Sequence, residues 1–213
     1  MINLTQVKKA DFINLPFIIS GIAFVLYPII RPFSDEKTME GAVVFASGEW
    51  MISHILGMVA FTFLSVGFLG LSGAFENKSS ASSVYTATGL SIIGLGLTMP
   101  YYGGETFGLH AIGHAALDQQ NDSLVSLEAI VRSGPGLILF IIGLILLVIS
   151  TIIVANTFWK SGKHSKWTGV LLAIGMILYL PQFLADQPLR VIHGLLMAVG
   201  CFSIAWEITR SRK

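Results

Sequence analysis

Apolar residues in this chain gather into six long stretches separated by short polar connections. The stretches run Phe12–Ile30, Trp50–Leu71, Val84–Met99, Pro135–Phe158, Trp167–Leu184 and Leu189–Ile208. About twenty mostly apolar residues cross the hydrocarbon core of a bilayer. The third stretch reaches that length by running through Pro100 to Tyr102. Backbone groups in lipid must bond within their own segment, and stretches apolar on every side do so as α-helices. The pattern predicts one all-α integral membrane domain over residues 1–213. It is a bundle of six transmembrane helices, with spans at 12–30, 50–71, 84–102, 135–158, 167–184 and 189–208.

The connections differ in character. Residues 103–133 are long for a helix–helix loop and hold two helix-like patterns. "GETFGLHAIGHAALD" is amphipathic, and "NDSLVSLEAIVR" offers Asp122 or Ser123 as an N-cap. They predict a short helical cap over the outer mouth of the bundle. "ENKSSASS" and "KSGKHSK" read as plain turns on the other side.

Basic residues orient the spans. One set of connections holds Lys8, Lys9, Lys78, Lys160, Lys163, Lys166, Arg210, Arg212 and Lys213; the other holds Arg31, Lys37, Arg132 and Arg190. Nine against four, alternating for six spans, predicts cytoplasmic N- and C-termini, and the expected location is a bacterial cytoplasmic membrane. Lys8 and Lys9 resemble the start of a signal peptide, but no small-x-small cleavage site follows the first stretch, which predicts a retained helix.

Composition agrees. Charged residues make up 12% of the 213, against about a quarter in soluble domains, and mean hydropathy is +0.75. A net charge of +1 speaks against a nucleic-acid partner, and the lone Cys201 excludes an internal disulfide or a cysteine-based metal cluster.

The chemistry-bearing residues cluster on the outer side of this topology. His54 lies about one turn into the second span, His110 and His114 lie in the cap, and His193 lies about one turn into the sixth. Glu49, Glu105, Asp186, Arg132 and Arg190 share that face, while His164 falls in a lysine-rich turn on the inner side. Ionisable residues at membrane depth are costly, so a gathering on one level points to a site. Two segments, "GEWMISHILG" from Gly48 and "GETFGLHAIG" from Gly104, repeat Gly-Glu, four residues, His, two residues, Gly. Capping of helix N-termini by Glu49 and Glu105 is the competing explanation of the acids.

Imidazoles and carboxylates without thiolates suit iron or zinc. The first expectation is a haem b protein of cytochrome b-like type, serving electron transfer, haem sensing or haem handling. Among the candidate metal-binding residues His54, His110, His114 and His193, His54 with His193 or His110 are the axial ligands, His114 and Glu105 support them from behind, Arg132 and Arg190 meet the propionates, and Gly57 and Gly113 make room beside the macrocycle. A quinone or an outer redox partner would exchange electrons with it. The alternative is a zinc-dependent hydrolase at the outer leaflet, with histidine ligands and Glu49 or Glu105 as general base. A weaker alternative is a pH-responsive transporter or sensor. The glycines equally suit close helix packing.

Overall fold

The computed structural model describes residues 4–211, with side chains from Asn14 onward. Of the basic residues from which the orientation is expected, the Lys8 and Lys9 side chains and all of Arg212 and Lys213 lie outside the described residues. The fold is 83% helical and contains no strand among the described residues.

Six rods dominate: α1 (Leu4–Ile30), α3 (Gly48–Leu71), α4 (Lys78–Gly103), α7 (Gly134–Lys160), α8 (Val170–Ile177) and α9 (Gln187–Arg210). Short α2 (Met39–Phe45), α5 (Leu109–Asp118) and α6 (Glu128–Val131) sit in the connections at one end. The rods form a closed ring: α1 packs on α3, α3 on α4, α4 on α7, α7 on α8, α8 on α9, and α9 back on α1. Three are long and apolar enough to cross a membrane: Gly48–Ala74, which is α3 with its last 3-10 turn, Gly134–Lys160 (α7) and Gln187–Arg210 (α9). They alternate around the ring with α1, α4 and α8.

Small residues and hydroxyls hold the rods close. A Cβ on Gly94 would come within 2.7 Å of Gly143 O, and one on Gly143 within 2.6 Å of Gly94 O, so α4 and α7 touch backbone to backbone. Ser20 Oγ donates to Ala60 O across α1–α3, and Ser150 Oγ donates to Ala87 O across α7–α4. Such bonds satisfy polar side chains inside an otherwise apolar bundle.

Three elements depart from the sequence expectation. The fifth stretch is not one helix over 167–184: Gly169, at φ +82, admits α8 only from Val170. After Ile177 the chain turns, and Pro181–Leu184 continues as a 3-10 turn. Nor is the first cap helix separate. The chain runs helically from Lys78 to Asp118, with a π-helical segment at Gly104–Gly108. The second cap segment starts on Asn121, whose carboxamide oxygen accepts from Ser123 N at 3.1 Å. It forms a 3-10 stretch over Asp122–Leu127 before the single turn of α6.

Candidate functional site

A cavity of about 380 Å³ opens at the end of the ring where α2, α5 and α6 lie. Its polar wall is built by Arg31 and Glu36 after α1, His54 on α3, Tyr102 and Glu105 on the α4–π segment, Arg132 after α6, and Arg190 in the first turn of α9. Its apolar wall is Leu137, Phe140, Leu180 and Phe183.

Arg132 ties together three carboxylates from two connections. Its Nε and Nη2 donate to the two oxygens of Glu105 at 2.7 and 3.1 Å, a two-pronged match of guanidinium to carboxylate. Its Nη1 reaches Glu36 Oε2 at 2.7 Å and Glu128 Oε2 at 3.1 Å. Burial pushes the Glu36 carboxyl up, but the Arg31 and Arg132 guanidiniums outweigh it and hold Glu36 below its ordinary range. Burial works against the Arg132 charge, and Glu105 and Glu36 overcome it, so that charge is held more firmly than usual.

Arg31 is different. One nitrogen, Nη2, donates to Glu36 Oε1 at 2.6 Å, and the guanidinium lies between the Phe33 and Trp50 rings at 4.7 and 4.8 Å. Its Nε and Nη1 are buried and meet no acceptor among the described residues. The residue is only 6% exposed, so this is an unusual expense: a buried donor without a partner costs on the order of 1–3 kcal/mol. Arg190 also lies over the Phe33 ring, at 4.9 Å. It donates to the carbonyls of Ala185 and Phe183 at 2.9 and 2.7 Å, with no carboxylate partner among the described residues.

The π segment positions Glu105. A π turn shifts the backbone register and is often found at functional sites. Here the Glu105 carbonyl accepts from Trp50 Nε1 at 2.7 Å, which locks α3 against the segment while the Glu105 carboxylate faces Arg132.

His54 Nδ1 lies 2.8 Å from Trp50 O. A carbonyl only accepts, so Nδ1 carries the proton, and Nε2 of the neutral ring is left as a lone-pair donor toward the cavity. That Nε2 stands 3.8 Å from Glu105 Oε2. Behind it, Tyr27 packs on His54, and the Tyr102 and Tyr179 hydroxyls bond to each other.

Of the four histidines expected to gather, only His54 borders the cavity. His110 Nδ1 donates to Phe45 O at 2.9 Å and pins α5 to α2, with exposed His114 against its ring. His193 Nε2 donates to Gly175 O at 2.8 Å and pins α9 to α8. Among the described residues no three His, Cys, Asp or Glu side chains come together in a way that could hold a metal ion. A three-histidine zinc site is therefore not formed, and the reason is local: two imidazoles are engaged as helix-to-helix bonds. Glu105 is bound on both oxygens by Arg132, and Glu49 is an exposed residue in the first turn of α3, so neither stands as a free general base beside the cavity. The space beside Gly57 is filled by the Tyr102 ring, and that beside Gly113 by the α2 backbone; both glycines serve packing. Asp186 stands at the N-cap position of α9 without a side-chain cap bond.

Arg132 and Arg190 both line the cavity. Arg31, Glu36, Tyr27 and Glu128 were not singled out as a group. The available signal was "IIRPFSDEK", in which a charged residue directly follows a long apolar run and an acid stands five residues on. His164 lies in the lysine-rich turn and is buried there, 6% exposed, with Nδ1 3.4 Å from Glu207 Oε1.

Fold and site thus define a class: an all-helical protein, three of its helices able to cross a membrane, with an arginine-lined, half-apolar cavity at one end. No protein-family model, curated protein or solved structure matches the chain.

Proposed function

We propose that this is a six-span integral membrane protein that binds a small amphiphilic organic anion near the outer face of the bilayer. The anionic head lies between Arg31 and Arg190, and the apolar body lies along Leu137, Phe140, Leu180 and Phe183. One observation carries the proposal: Arg31 keeps two buried guanidinium nitrogens without acceptors and lines a cavity of ligand size. Arg132 is saturated by carboxylates, so the unmet cationic demand falls on Arg31 and on Arg190, both of which line the cavity.

The ring supports insertion. The three long apolar helices alternate with α1, α4 and α8, so a bilayer that takes the first three takes the others with them. The Lys160, Lys163 and Lys166 cluster after α7 favours the opposite end as cytoplasmic.

The test is a thermal-unfolding titration of the purified protein in detergent with decanoate and, separately, decanol. Stabilisation by decanoate alone, lost in Arg31→Gln, is the expected result. An equal response to both probes, or an undiminished one in Arg31→Gln, overturns the assignment.

One observation favours haem as a member of this ligand class. The Nδ1–H bond to Trp50 O leaves His54 Nε2 as a base facing the cavity, beside arginines suited to propionates. In that form His54 would hold the iron, and a quinone or outer redox partner would exchange electrons with it. Haemin titration followed at the Soret band distinguishes it: a saturable shift that disappears in His54→Ala supports haem, and no shift removes it.

A further inference from the structure

We propose a second site at the opposite end of the bundle, for the head group of an amine-bearing zwitterionic phospholipid such as phosphatidylethanolamine. It relies on the membrane insertion proposed above but not on the ligand of the arginine cavity.

Glu207 and Arg210 lie one turn apart on α9 and line one cavity of about 410 Å³. Opposite charges at that spacing can pair with each other. These do not. Glu207 is 3% exposed, its Oε1 accepts from Ser165 N at 3.1 Å and faces His164, and Arg210 meets no carboxylate among the described residues. A buried carboxylate and a separate guanidinium thus face one cavity.

That arrangement matches a zwitterion. A primary ammonium brings three N–H donors, and Glu207 with the hydroxyls of Ser165, Thr168 and Ser203 offers acceptors around it. Arg210 suits a phosphate. A choline head has no N–H to donate, and a glycerol head brings no cation to Glu207.

The surroundings favour a lipid over a soluble zwitterion. Trp167 and Trp206, 70% and 71% exposed, flank the cavity, and Val170 and Leu171 carry its wall onto the apolar flank of α8. Indoles stand at membrane–water boundaries because they are apolar with one polar tip. Trp159 packs on Trp167 at this same end, beside Lys160, Lys163 and Lys166.

Native mass spectrometry of the full-length, delipidated protein tests this, with an equimolar mixture of phosphatidylethanolamine, phosphatidylcholine and phosphatidylglycerol. The ethanolamine lipid should be retained roughly tenfold over the other two, the worth of one charge-assisted hydrogen bond. Arg210→Gln, and Thr168→Val, which leaves the Glu207–His164 pair intact, should each reduce that preference. Arg31→Gln should not alter it. Equal retention of all three lipids, preference for the glycerol lipid, or indifference to Arg210→Gln overturns the proposal. So does full competition by glycerophosphoethanolamine at equal concentration, which would make the ligand a soluble zwitterion. Failure of insertion is separately visible, as protein recovered from cells without detergent.

Discussion

"GEWMISHILG" and "GETFGLHAIG" share a pattern and divide the work. In the first, the histidine is used and the acid is spare: His54 borders the cavity, and Glu49 is exposed in the first turn of α3. In the second, the acid is used and the histidine is diverted: Glu105 holds Arg132, and His110 bonds Phe45 O. Their settings differ completely. Gly48 and Glu49 open a helix behind the Ser47 cap, whereas Gly104 and Glu105 lie inside a π turn of a helix already 26 residues long. One site residue comes from each segment, with His54 Nε2 and Glu105 Oε2 3.8 Å apart. Equal spacing in sequence does not give equal roles, because the role follows from what the rest of the fold presents to each side chain.

The largest break in this comparison should come at the two acids. Glu105→Gln removes one partner from a buried, two-pronged ion pair, and such losses run to about 3 kcal/mol. Glu49→Gln touches nothing comparable and should stay within about 0.5 kcal/mol, as exposed substitutions do. Thermal unfolding of both variants in one detergent decides it; similar losses would mean that Glu49 has a role beyond its helix terminus.

The closing glycines are the one position where the two segments agree. A Cβ on Gly113 would stand 2.7 Å from Ala42 O and Ala46 N, both backbone; one on Gly57 would stand 2.8 Å from the edge of the Tyr102 ring. Overpacking costs typically about 1–3 kcal/mol. Gly113→Ala should lie at the upper end because the α2 backbone cannot yield, and Gly57→Ala lower because a ring can turn. Ranking the two by denaturant midpoint sharpens the parallel, and the reverse order would break it.

What was legible in the sequence was whatever depends on a residue's position along a helix. The rods of α1, α3, α4, α7 and α9 follow from apolar length, and the gathering of Arg132, Arg190, Glu105 and His54 at one end follows from counting which helix ends lie together. What was not legible depends on rotation about the helix axis and on competition for partners. Sequence position puts His193 and His110 at the same end as His54, yet each imidazole is bonded to a backbone carbonyl of a neighbouring helix. A carbonyl is available wherever two helices meet, and nothing in a spacing pattern tells such a histidine from a ligand. Arg31 went unremarked for the opposite reason: a charge at the end of an apolar run is common, and only burial with two unmet donors distinguishes it.

The histidines give a smaller effect of a different kind. His110→Ala loses one hydrogen bond between α5 and α2, about 1 kcal/mol, and leaves ligand binding at the arginine cavity intact. His54→Ala should lower stability by a similar amount through its bond to Trp50 O, but it should also change binding in the cavity it lines. Stability and binding measured on the same two preparations separate the roles. If His110→Ala weakened binding as much as His54→Ala, the division between the two segments would fail.

The smallest effect concerns pH, and it reaches the second segment through Arg132. Glu36 shares that guanidinium with Glu105, and its folded-state carboxyl titrates below its ordinary range because Arg31 and Arg132 outweigh the burial that pushes it up. A carboxyl depressed in the folded state adds stability that is fully present above its unfolded value, about 4.3. The contribution is lost as pH falls through the lower folded value. Unfolding followed from pH 7 downward should therefore show stability declining below about pH 4.3, with a shallower decline in Glu36→Gln. That variant also frees one bond each on Arg31 and Arg132, so the slope with pH, and not the absolute stability, is the decisive quantity. An unchanged slope in Glu36→Gln would mean that Glu36 is not the group through which acid loosens the arginine network, and that Glu105 and Arg132 stand on their own.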